Sequence, residues 1–383
     1  MKKSLLAVAA MTAFAGAAQA QSSVTVYGIL DVGYVGANEK DTVAGATTKQ
    51  QVSQFGQSAQ SNSRLGFKGT EDLGGGMSAF FTLETLLTPQ DTNYTTNANR
   101  QSFVGLSQKG MGKVSIGQQY TTVFNAISKT DPGQLNNIAG NVINPQNAGL
   151  ASSSSSDGNN AAFTTRTGNM LAGQTDVFAG FQGNAFYTVN NQNQTQTGVN
   201  AGGTTNFSGY GLGVDYTWKK LLVTANWQSF KTQQTGSTSA FAIAPATGAV
   251  TITNATDNQM YFAGTYDFGI LKAYAGYVNR KATSALNSNA YLSRSAQQIG
   301  VRSFITPKVE GWASVGTGRF NAAGTSSPTV NFNGWQLGSN YWLSKRTNLY
   351  AIYGQELTSS TNVVGSNANY GLSNYGIGVR HTF

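Results

Sequence analysis

The stretch Tyr210-Gly211-Leu212-Gly213-Val214-Asp215-Tyr216-Thr217-Trp218-Lys219 carries an apolar or aromatic residue at every second position and a small, polar or charged one between. Successive side chains of a strand point to opposite faces, so this segment has one greasy face and one hydrophilic face. A strand lying between lipid and water requires that division. Tyr375, Ile377, Val379, His381 and Phe383 repeat it against Asn374, Gly376, Gly378, Arg380 and Thr382. Met260, Phe262, Gly264, Tyr266 and Phe268 do so against Tyr261, Ala263, Thr265 and Asp267. Beyond residue 20 no run recurs convincingly at three and four, so no helix is expected there.

On this basis sixteen strands begin near Val24, Ser61, Gly76, Asn99, Gly112, Ala161, Ala179, Ser208, Leu221, Asp257, Ile270, Arg294, Lys308, Thr329, Thr347 and Asn369. Their connections alternate in length. Asp72–Gly75, Lys109–Met111, Lys219-Lys220, Phe268-Gly269, Thr306-Pro307 and Ser344–Arg346 are tight. Ala37–Gln60, Thr121–Asn160, Asn191–Phe207, Lys231–Thr256 and Ser359–Ala368 are long and polar, and read as loops. Short turns at one end and long loops at the other match an outer-membrane barrel. In hydrocarbon every backbone N–H and C=O must be bonded internally, and a sheet achieves that by having no edge. The predicted fold is therefore an all-β, 16-stranded antiparallel transmembrane barrel, a size that leaves an aqueous lumen. The competing reading is a secreted soluble β-fold, such as an adhesin or lectin, with its apolar face packed on a second sheet. Strand number, aromatic-tipped strands and unequal connections favour the barrel.

Composition narrows the chemistry. Of 383 residues, 24 are Lys or Arg, 15 are Asp or Glu, one is His and none is Cys. Thiol catalysis, disulfide scaffolds and Cys- or His-rich metal sites are excluded, and no cofactor or metal is expected. The sole histidine, His381, falls on the apolar face of the last strand, so a His-based barrel enzyme is not expected either. The basic residues are scattered and no binding motif accompanies them, which argues against nucleic acid. Lys2 and Lys3, the apolar stretch Leu5–Gly16 and Ala18-Gln19-Ala20 read as a signal peptide over residues 1–20. Residues 21–383 would then form one exported barrel.

Four segments resemble the general trimeric porins of Gram-negative bacteria, of beta-proteobacterial type. They are Val24–Asp31, Ser63–Gly76, Arg100–Ser107 and the ending Gly378–Phe383, in the family's order. The resemblance implies a homotrimer in the outer membrane, surrounded by its lipid and lipopolysaccharide, with the third loop folded inward. It implies that terminal Phe383 is the signal read by barrel-assembly machinery. Water-filled passage of small hydrophilic solutes and anions would follow, or a substrate-specific channel on the same barrel.

Porin selectivity resides in the charge and width of the narrowest section. By resemblance, Arg64, Arg100 and Arg166 form the basic wall, with Lys68 beside them. Alternation points Arg64 and Lys68 into water, opposite Leu65 and Phe67, and sets Arg166 opposite Leu171. It sets Arg100 on the wrong face, with Val104 and Leu106, so a lumenal Arg100 needs a bulge or small residues beneath the loop. The loop side departs from the family pattern. Relatives often read Gly-Arg-Gln-Tyr followed by an acid, whereas this chain has Gly117-Gln118-Gln119-Tyr120 and then Phe124-Asn125. The loop-side candidates are Tyr120, Phe124 and Asp131, the last more readily read as an ordinary turn aspartate before Pro132-Gly133. Three arginines with few opposing acids predict a moderate preference for anions. Two aromatics at the constriction are too few for a sugar slide.

Overall fold

The computed structural model describes residues 23–43, 46–146, 160–194, 203–235, 241–244, 249–323, 329–358 and 369–383. Residues 1–20, read above as a signal peptide, and the serine-rich segment Ser152–Ser156 lie outside them. Strands β1 (Ser23–Val43), β2 (Ala46–Gln57), β3 (Arg64–Gly74), β4 (Met77–Leu87), β5 (Thr95–Gln108) and β6 (Gly112–Tyr120) come first. A helix, α1 (Thr122–Thr130), follows. Then come β7 (Arg166–Thr175), β8 (Phe181–Gln194), β9 (Gly203–Trp218) and β10 (Leu221–Gln234). A separate hairpin, β11 (Phe241–Ala244) and β12 (Ala249–Ile252), precedes β13 (Ala255–Asp267), β14 (Lys272–Ser284), β15 (Tyr291–Phe304) and β16 (Val309–Ala323). The chain ends with β17 (Thr329–Trp342), β18 (Thr347–Thr358) and β19 (Asn369–Thr382).

All strands but the hairpin belong to one antiparallel sheet, each paired with its sequence neighbour. β1 closes it against β19, from Ile29 opposite Thr382 to Thr42 opposite Asn369. β2 and β3 both pair with β1, its upper and lower parts respectively, so together they make one interrupted stave of a 16-strand barrel. Tyr210, Leu212, Val214 and Trp218 are exposed on the outer face, while Gly211 and Asp215 are buried within. The tight turns lie where alternation placed them. At one of them Gly74, Gly75 and Gly76 all have left-handed φ, of 82°, 62° and 80°, a conformation that side-chain-bearing residues rarely adopt.

Two expectations are corrected. Much of the long polar segments is strand: β1 and β2 occupy most of 37–60, and β8 and β9 extend into 191–207. Outside the bilayer both strand faces meet water, so these extensions carry no apolar alternation to reveal them. The second correction is α1. Val123, Ala126, Ile127 and Thr130 are buried at helical spacing, against an expectation of no helix. Thr121 caps it, its hydroxyl accepting from Phe124 N at 3.3 Å.

The described parts of loop three, residues 121–146 and 160–165, turn into the barrel. Val123, Ile127, Val142, Ile143 and Phe163 pack on Tyr261, Val278 and Phe332 of the wall. Further along, Ile138 packs on Val35, Trp312 and Ile352. Close backbone approach needs missing side chains. A Cβ on Gly354 would lie 1.8 Å from Ala139 O, and one on Gly140 would lie 2.2 Å from Trp335 O. Glycine at these positions lets the loop lie flat on β17 and β18.

Candidate functional site

Loop three leans on the far wall, and arginines hold it there. Arg302 Nη1 donates to Pro132 O at 2.8 Å, and Arg294 Nη2 to Val142 O at 2.7 Å. Arg280 Nη1 donates to Asn160 O. Arg302 is paired with Glu310 (2.5 Å) and Arg280 with Asp257 (2.7 Å), whereas Arg294 lies over the rings of Phe320 and Phe332. Wall amides add to this: Gln336 Nε2 donates to Ala139 O at 2.9 Å, and Gln298 Oε1 accepts from Val142 N at 3.2 Å.

The opposite wall carries the basic cluster. Arg64 and Lys68 share the inner face of β3, and the Lys68 ammonium lies 5.4 Å from the centroid of the Tyr27 ring. Arg100 reaches the lumen through a β-bulge: Glu84 pairs with Gln101 but Thr85 with Asn99, so Arg100 is the extra residue. The bulge reverses the side its parity assigns. An arginine on the lipid face near mid-bilayer would cost roughly 2–4 kcal/mol. Arg100 Nε donates to Glu84 Oε1 at 2.7 Å, and Nη2 donates to Tyr120 Oη at 2.8 Å. Arg64 Nη1 lies 3.8 Å from the same Glu84 oxygen, and Tyr27 Oη donates to the other at 3.1 Å. Arg166 is buried, directly across the β6–β7 ladder from Tyr120. Tyr120 in turn stacks on Phe124, ring centroids 4.3 Å apart.

The cluster thus joins Arg64, Arg100, Tyr120 and Phe124, with Arg166 alongside and Lys68 one step below. It also contains Glu84, which the sequence reading did not single out. Glu84 is the one charged residue of β4 and falls on the face opposite Phe81 and Leu83, and that parity was its available signal. Asp131 does not join it. It is 3% exposed, wedged between loop and wall, and accepts from Leu135 N (2.7 Å), Asn141 Nδ2 (2.8 Å) and Gln298 Nε2 (3.3 Å). Burial pushes its carboxyl above the ordinary carboxylate range, and these donors pull it partway back. Asp131 organises the loop's turn and faces no arginine of the cluster. Phe383 completes the β1–β19 seam: its N–H donates to Gly28 O at 3.1 Å, and its O accepts from Gly28 N at 3.0 Å.

A family model described as Gram-negative porin matches residues 7–361. An outer membrane porin protein of Bordetella pertussis is 29% identical, each chain covered in full. Outer membrane porin protein 32 of Delftia acidovorans is 41% identical over 34% of this chain and 35% of its own. Among solved structures, the anion-selective porin from Comamonas acidovorans superposes with a TM-score of 0.66 and 21% identity, covering 95% of this chain and all of that one.

Proposed function

The chain belongs to the Gram-negative porin family, and from that premise we propose that its basic cluster gives the channel a moderate preference for small anions. The protein is an outer-membrane porin, a channel for passive diffusion and not an enzyme. The observation that carries the selectivity reading is the bulge that turns Arg100 inward, beside Arg64. Among the described residues Glu84 is the one carboxylate bonded to either of them, so the trio keeps a net positive charge. Screening over about 8 Å at physiological salt leaves such a charge effective in a constriction of similar radius.

Zero-current potentials of the reconstituted protein under a KCl gradient test this reading. Anion preference is expected, and joint neutralisation of Arg64, Arg100 and Arg166 to Gln lowers it. Lys281→Gln is the control, because Lys281 faces outward over the Tyr291 ring. Arg280 is unsuitable as a control, since it holds loop three. Cation preference in the unaltered protein overturns the assignment. We extend the proposal to the parts the family resemblance implies: a cleaved signal over residues 1–20, a homotrimer, and assembly through terminal Phe383. Outward Lys281 and Arg319, near the loop end of the barrel, suit the phosphates of lipopolysaccharide.

A further inference from the structure

Below the base of loop three, on the side of the tight turns, the lumen wall of β4 to β8 is hollowed into a recess of ≈ 170 Å³. At about 30 Å³ per water in the liquid, that is room for a compact organic molecule. The lining is mixed. Phe80 and Phe103, in edge-to-face contact with centroids 6.3 Å apart, give it an aromatic wall, and Met170 adds to the apolar side. Lys113 stands at its turn end, in ion-pair contact with no carboxylate among the described residues. Thr122 lines the loop end; it is 5% exposed and its hydroxyl has no hydrogen-bond partner. No acidic side chain among the described residues lines the recess.

A buried hydroxyl without a partner is unfavourable unless something else meets it. A lone ammonium beside aromatic faces, with no competing acid, favours a ligand that is anionic at one end and apolar in its body. We propose that this recess is a transient binding site for small organic monocarboxylates with an aromatic body. The carboxylate meets the Lys113 ammonium, the ring lies against Phe80 and Phe103, and Thr122 at the deep end serves a polar substituent. The proposal rests on the channel reading above, and the site lies where a solute leaves the Arg100–Tyr120 neighbourhood.

The test uses the full protein in planar bilayers in KCl, with benzoate as the probe. Benzoate is expected to reduce the open-channel current in a saturable, concentration-dependent way. Acetate, lacking the ring, and benzamide, lacking the charge, are expected to act far more weakly. Lys113→Gln should raise the half-blocking concentration about tenfold, the scale of one charge-assisted hydrogen bond. Ala172→Phe, which fills the recess from its wall, should abolish the block while KCl steps persist. Steady KCl steps unaffected by benzoate, or a block indifferent to both substitutions, overturn the site alone. Absence of KCl steps in the unaltered protein overturns the channel reading and the site with it.

Discussion

Glu84 holds Arg100 at 2.7 Å and offsets one positive charge of the basic wall. Replacing it with Gln keeps an acceptor in place and removes that charge. Glu84→Gln should therefore raise the anion-to-cation permeability ratio, roughly twofold, read from zero-current potentials at low salt where screening is weakest. An unchanged ratio would mean that the cluster lies away from the narrowest section. Asp131 supports a different measurement. Its folded-state carboxyl binds a proton more tightly than an unfolded aspartate, because burial disfavours the charge. Its favourable contribution is complete below the ordinary aspartate range and is lost as pH rises through the raised value. The melting midpoint of the wild type relative to Asp131→Asn should fall as pH rises above the ordinary aspartate range, and an unchanged gap would refute this. Residue by residue, the sequence was legible wherever parity is regular. Arg64 and Lys68 follow it. Arg100 does not, because one inserted residue inverts the face, and nothing local in Ala98-Asn99-Arg100-Gln101 announces a bulge.

Among the elements, loop three shows how an inward segment is held without a sheet of its own. Arg280, Arg294 and Arg302 each donate to one of its backbone carbonyls, and two of the three bring a buried carboxylate with them. Removing one member of a buried pair leaves the other charge uncompensated, at about 3–5 kcal/mol. Arg280→Met should thus lower the unfolding free energy in detergent by that order and increase open-channel noise as the Asn160 arm is released. Arg280→Met with Asp257→Leu should recover much of the stability but not the quiet current. If the double variant is as unstable as the single one, the stranded charge is not the cause. The sequence hid this architecture for a physical reason. The helix α1 is short, two and a half turns or so, and its apolar positions Val123, Ala126 and Ile127 resemble any polar loop's sporadic hydrophobes. The wall residues that receive it, such as Gln298 and Gln336, look from the sequence like ordinary lumen lining.

For the whole molecule, sheet length and membrane thickness are separate quantities. On the seam side, the outward Tyr34 ring lies 6.0 Å from Phe55 and 6.2 Å from Tyr375, centroid to centroid, and these rings mark the upper edge of the apolar belt. Above them Asn38, Lys40, Lys49 and Gln51 carry β1 and β2 onward with no apolar face, so the sheet continues into water. This explains why the sixteen-stave count was legible and strand length was not: lipid imposes alternation only where it touches the chain. Excising Asp41–Thr48 and closing the arms with a two-residue Asn-Gly turn should leave insertion into vesicles and KCl conductance unchanged, since no belt residue is lost. Leu212→Arg, a single change within the belt, should reduce folding stability in vesicles by roughly 2–4 kcal/mol. Urea titration of the two variants in the same lipid decides the point. If trimming the polar arms costs as much as charging the belt, anchorage depends on the full length of the sheet and not on its greasy band.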